Sequence, residues 1–332
     1  MKIIMKTNKF FNLIVLATIV VTMISCSSDN GEGIKPPTPA EFKEMRSRAL
    51  ADITQTQTFN AEDGIDFTSD KGVHFTIGAG CIQLNGAPVT GPVQLEFVEL
   101  YKRGNMLVVN KPLMGTAADE TTKGPMVTGG QFYVNVTKNG VQVDGSWACP
   151  YYLEVPAENT GGLDPNMTFW TGTENENEDM EWEEGKDEQN GWVGGEMGQY
   201  SLIGHLFCWI NIDILYNLLG PKVPVWVKVP EGYNNKNCSV YVVYKDQPGA
   251  LAYMDVWAPK DPSKPNEKMF TEHYGLAPQG FNFYVVFVST YYDHFVYAVK
   301  DVTVAADQII TFESSDLKII EKNALIAVIN GL

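Results

Sequence analysis

Cysteine is scarce in this chain: five in 332 residues, at positions 26, 81, 149, 208 and 238. No two form a C-x-x-C pair, which speaks against a zinc ribbon or a thioredoxin-like couple. Histidine is scarcer. His74, His205, His273 and His294 make no H-E-x-x-H and no i,i+4 pair, so no zincin signature is present. G-x-S-x-G, the phosphate-cradling P-loop and G-x-G-x-x-G are missing too. Ser315-Asp316-Leu317-Lys318 fits S-x-x-K, but the motifs that accompany it in β-lactamases are not there. Basic residues are few, 24 Lys and Arg against 40 Asp and Glu, for a formal charge of −16. Nucleic acid and anionic headgroups repel such a polyanion. These absences leave no catalytic residue, metal site or cofactor to nominate.

The long apolar run is confined to the start. Lys2, Lys6 and Lys9 precede Phe10 to Ser25, which is uncharged and mostly aliphatic or aromatic. That is the layout of a secretory leader, too short and too abruptly polar afterwards for a membrane span. Met23-Ile24-Ser25-Cys26 resembles a bacterial lipoprotein cleavage box. The resemblance implies that residues 1–25 are removed and that Cys26 is acylated, and two or more acyl chains anchor a protein stably. Loss of the three lysines moves the charge to about −19. Residues 26–38, rich in Gly, Pro and Ser, read as a flexible tether. Asp29 and Glu32 resemble the acidic sorting signal of Gram-negative surface lipoproteins. The expected address is therefore the outer face of the outer membrane.

Thr38-Pro39-Ala40-Glu41 is a capping box with proline at the first helical position. Phe42, Met45, Ala49 and Ile53 follow at helical spacing, which predicts a short helix packed on the first sheet. Alternating apolar strands come next, around Val73-Phe75-Ile77, Val93-Leu95-Phe97 and Phe132-Val134-Val136, with a hairpin turn at Asn139-Gly140. "VPVWVKVP", "CSVYVVYKD", "FNFYVVFVST" and "HFVYAVKDVTV" repeat the alternation in the last third. The expected fold is mainly β: two β-sandwich, immunoglobulin-like domains in tandem with short N- and C-terminal helices. Residues 39–158 would form the first, 159–215 an acidic connector with linking strands, and 216–332 a second, immunoglobulin- or transthyretin-like sandwich. In the closing helix, capped by Ser314 or Ser315, Leu317, Ile320, Ala324 and Val328 would share one face.

Residues 58–150, with "NGAPVTGPVQLEFVE" followed by "GGQFYVNVTKNG", resemble a domain common in bacterial surface lipoproteins of unassigned function. They are similar, more distantly, to the zonula-occludens/uncoordinated type of β-sandwich of ankyrins and netrin receptors. "GHLFCWINID" (204–213) resembles a segment that often follows in such proteins. The resemblance implies a sandwich and a surface address, and brings no catalytic residues.

Two readings stay open. Cys81, Cys149, Cys208 and Cys238 allow three disulfide pairings, or they are four buried, reduced small hydrophobes, the reading taken here. Between Glu174 and Glu188 nine carboxylates face one lysine, Lys186. Like charges so dense predict a solvated, mobile loop, and the ordered spacing of a calcium loop is missing. Trp170, Trp182 and Trp192 lie in or beside that stretch, and Tyr291 and Tyr292 on a predicted loop near His294. These five rings are the candidate ligand-binding residues, able to stack on sugars if exposed. Trp209 and Trp226 lie in apolar runs and read as core. The function expected is a non-catalytic binding or adhesion module holding a protein or glycan. Alternatives are oligosaccharide capture beside a transport channel, or a surface hydrolase with a carboxylate pair that only geometry could reveal.

Overall fold

A computed structural model describes residues 33–175, 179–186, 191–272 and 277–332. The chain is mainly β, with three α-helices among the described residues: α1 (Pro39–Ala51), α2 (Arg103–Val108) and α3 (Lys322–Asn330). Residues 34–332 cluster as one compact unit.

The spine of the N-terminal half is the strand Lys123–Lys138, central to an eight-stranded sheet. Its second half pairs with Pro92–Leu100, and the Asn139-Gly140 turn, both residues at positive φ, returns the chain as the sequence predicts. Its first half pairs with Trp209–Leu215 through a register shift at Ile212/Asp213. Met114–Thr116 pairs with Lys123–Pro125 on one side and, in parallel, with Met180–Glu184 on the other. The latter pairs with Thr168–Glu174, and that strand with Trp209–Leu215. One end of the sheet therefore closes into a ring of five strands. Gly115 and Gly172 leave room in it for indoles: a Cβ at either would lie 2.7 Å from Trp170 and Trp182, respectively.

A five-stranded sheet covers the other face, in the order Trp192–Glu196, Gln199–Gly204, Tyr151–Pro156, His74–Ile77, Ile65–Thr68. Period-two alternation sends Phe75, Phe97, Phe132, Tyr151, Leu153 and Tyr200 into the core between the two sheets. Strands expected to belong to a connector, from 168 to 215, are thus integral to this body. The acidic stretch contains one of them because Met180 and Trp182 alternate with Glu181 and Glu183, a period-two signal that charge density hid. The remainder of that stretch, at 176–178 and 187–190, lies outside the described residues.

In the C-terminal half, Ser239–Tyr244 and Asn282–Tyr291 are the centre of a second five-stranded sheet. Its Phe287 meets Phe312 beside a four-stranded sheet built on Trp226–Lys228 and Lys268–Thr271. Helix α1 forms as its capping box dictates and buries Phe42, Met45 and Ala49. It docks on the C-terminal half, not only on the first sheet. Arg46 donates to the Ser239 hydroxyl and Arg48 to Asp293 at 2.8 Å. One hydrophobic cluster runs through α1, Trp170, Trp182, Trp209 and the C-terminal strands. The closing helix also departs from expectation. Lys318–Ile320 is an edge strand on Phe295–Tyr297, and α3 begins after it. Leu325 and Ile329 are buried there, while Ala324 is exposed and Val328 half-buried. Pairing of the Leu317–Ile320 segment with a sheet edge shifts the helix start, and with it the buried face.

Cys81 and Cys149 form a disulfide across 68 residues, correcting the reading of four reduced cysteines. Cys208 and Cys238 are free thiols, and burial raises both.

Candidate functional site

Helix α1 stands over the outer face of the eight-stranded sheet, and a groove of about 550 Å³ opens between them. Ser47, Leu50 and Ala51 form its helical wall, continued by Thr54 just past the helix, with Glu96, Tyr133 and Trp209 on the floor. Register sets which side chains reach the floor: Glu96 and Val98 alternate with inward Leu95 and Phe97, and Trp209 with inward Ile210. A smaller cavity lined by Arg46, Asn110 and Lys111 adjoins it, sharing Ser47, Leu50 and Glu174.

The floor is a fixed network. Lys111 is nearly fully buried, and its Nζ lies 2.9 Å from Glu174 Oε1, whose side chain is 37% exposed. Trp209 Nε1 donates to the same oxygen at 3.1 Å, and Lys111 Nζ sits 5.3 Å from the Trp209 ring centroid. Tyr133 and Trp209 lie 5.3 Å apart, tilted at 41°. Burial, then the Glu96 and Glu174 charges, raises the Tyr133 hydroxyl. Asn135 donates to Glu96 at 2.9 Å. Burial pushes the Cys208 thiol in the groove wall to about 11, a poor nucleophile at neutral pH. Such a surface can orient a hydrogen-bonding ligand against an aromatic floor. It presents no nucleophile activated by a neighbouring base. No trio of His, Cys, Asp or Glu able to hold a metal occurs among the described residues.

The rings nominated from sequence are not brought together. Trp170 and Trp182, each 1% exposed, fill the closed end of the large sheet, where their indoles donate to the Asp213 and Pro112 carbonyls at 3.0 and 2.8 Å. Neither can stack on a ligand, which corrects that expectation: glycines opposite them drew both rings inward. Trp192 is 44% exposed on the outer face of the first five-stranded sheet. Tyr291 is half-buried and meets exposed Tyr292 edge-on at the tip of a hairpin. Trp209 is core as expected, whereas Trp226 is half-buried. His74 bridges Asp66 and Glu154, and His205 stacks on Trp147. Cys26 and His273 lie outside the described residues. Sequence reasoning missed Glu96, Lys111, Tyr133 and Glu174 as a set. A polar residue at every second position marked Glu96 and Tyr133 in their strands, whereas Lys111 lies outside any strand and the Glu174 strand does not alternate.

No protein-family model and no curated protein matches the chain. What fold and site define together is a class: a mainly β chain with an ordered, aromatic-floored groove.

Proposed function

We propose that the protein is a lipid-anchored binding module, displayed on the outer membrane as two sandwich bodies in tandem, which holds a partner without transforming it. The groove beneath α1 carries this reading. Its Lys111–Glu174–Trp209 floor is ordered for recognition, with its charged groups already engaged. The leader, Cys26 and the surface-lipoprotein resemblance of residues 58–150 support the address. So does the Cys81–Cys149 bridge, since disulfides persist in exported proteins. The test is acyl labelling of the full chain and of Cys26→Ala, with protease shaving of intact cells. The reading expects a labelled, shaved wild type and an unlabelled, released variant. A soluble, unlabelled wild-type chain overturns it.

A second reading, oligosaccharide capture, is favoured by one observation: exposed rings stand beside carboxylates on the outer face of the first five-stranded sheet.

A further inference from the structure

The register of that sheet sets Trp192, Ile203, Tyr152 and Thr76 in one row across four strands. Their neighbours Tyr151, Leu153, Tyr200 and Leu202 point into the core, so the row faces outward. Trp192 and Tyr152 are 44% and 46% exposed, and two strand spacings put their backbones about 9.6 Å apart. Trp147, 41% exposed, stacks on His205 at 4.4 Å and 29°, two residues beyond Ile203.

Two of the three rings, Trp192 and Trp147, are held in place. A Cβ at Gly194 would lie 2.2 Å from the Trp192 ring, so the indole lies across the glycine of its own strand. The segment carrying Trp147 is fixed by the Cys149 disulfide and by a turn in which the Cys149 N–H donates to the Ser146 carbonyl at 2.9 Å. Rings ordered before binding lose little side-chain entropy on contact. Polar groups flank the aromatic row. His74 lies 2.7 Å from Asp66 and 3.5 Å from Glu154, and Ser201 sits between Gly194 and Glu154 in the register.

Charge narrows the occupant. Asp66, Glu154 and Glu196 make the face acidic, on a chain of formal charge −16. A second copy, a nucleic acid or an acidic polysaccharide would be repelled. A protein partner would have to dehydrate these carboxylates, which costs binding energy unless each finds a buried partner. An uncharged sugar chain fits both halves of the surface: its C–H faces cover rings, and its hydroxyls donate to carboxylates.

We propose that this sheet face is a platform for an extended, uncharged polysaccharide chain, with Trp192, Tyr152 and Trp147 as stacking rings. The proposal rests on the capture reading and is independent of the groove and the lipid. The experiment uses the full chain in affinity electrophoresis and pull-down with a panel of neutral glucans, mannans and xylans, and with an acidic polysaccharide for comparison. Trp192→Ala and Tyr152→Ala are each expected to bind the retained neutral glycan roughly tenfold more weakly with unchanged melting. Gly194→Ala keeps every ring but displaces the Trp192 indole, and is expected to weaken binding likewise. Leu219→Ala, an exposed apolar side chain outside this sheet, binds as wild type. Retention of a neutral glycan that is indifferent to the platform variants overturns the location and leaves the capture reading standing. No retention of any neutral glycan overturns both. Self-association abolished by Trp192→Ala makes the face an interface between copies and overturns the proposal.

Discussion

The ammonium of Lys111 and the indole Nε1 of Trp209 converge on one oxygen, Glu174 Oε1, at 2.9 and 3.1 Å. The two ends of the ion pair are unequally hydrated: Lys111 is 4% exposed and Glu174 37%. Loss of each partner therefore has a different consequence. Glu174→Ala takes the carboxylate from a buried ammonium and the acceptor from Trp209, and should cost about 2–3 kcal/mol in urea unfolding. Lys111→Met keeps the packing volume and leaves Glu174 to water, and should cost about 1 kcal/mol or less. Equal costs would show that water reaches Lys111.

The Cys81–Cys149 bridge closes a 68-residue loop. In the chain-entropy view a loop of that length stabilises by about 4 kcal/mol. Reduction, or the Cys81→Ala/Cys149→Ala pair, should lower the urea midpoint accordingly. In the native chain Cys208 and Cys238, raised by burial, should react slowly with a thiol reagent, and quickly once unfolded.

Strand positions in the first sheets were legible wherever apolar and polar residues alternate, as in Val93–Phe97 and Phe132–Val136, and so was α1, whose capping box states its start. The ring closure was not, because it depends on Met114–Thr116, three residues that pair with the next strand on one side and with distant Trp182 and Glu183 on the other. For the same reason Trp170 and Trp182 could not be told from surface rings: the glycines that admit them, Gly115 and Gly172, become neighbours only through tertiary pairing. Trp192 was legible as a candidate, but its companions Tyr152 and Trp147 needed the register. The groove floor joins residues 96, 111, 133, 174 and 209, separations that no local pattern reports.

Asp213 is fully buried at the register shift of the large sheet. Its Oδ2 accepts from Asn211 Nδ2 at 2.7 Å, and its Oδ1 has no partner. Burial raises this carboxyl well above its ordinary value, against the opposing effect of Thr128 and Asn211. A folded-state value above the unfolded one means that the neutral acid is the stable form inside. Its contribution is fully present below the unfolded value near 3.8 and is lost as pH rises towards the raised one. Asp213→Asn supplies a neutral isostere, so the variant should lose less stability than wild type as pH rises above 3.8. Parallel melting-temperature profiles would show that Asp213 is compensated in some other way. Asp119 has the opposite sign: hydrogen bonds from Thr122 and Thr121 hold it at about 2, so its contribution is lost only as pH falls towards that value.

Helices α2 and α3 meet at Gly104. A Cβ there would lie 2.5 Å from the Ile326 carbonyl oxygen and 2.9 Å from Asn330 Oδ1, which accepts from the Gly104 N–H at 2.8 Å. The obstacle is backbone, so no rotamer change relieves it. The neighbouring Arg103 ties the same junction together, donating to the Ile329 and Tyr244 carbonyls at 3.0 and 2.9 Å. Gly104→Ala should therefore push the C-terminal helix off its seat and cost about 1–3 kcal/mol, the range for an overpacked contact. Amide exchange gives the sharper readout. Protection should fall first in Lys322–Asn330 and on the Lys318–Ile320 edge strand that precedes it, while the first five-stranded sheet keeps its protection. A uniform loss of protection would mean that the chain unfolds as one cooperative unit and that α3 is not a separable seal.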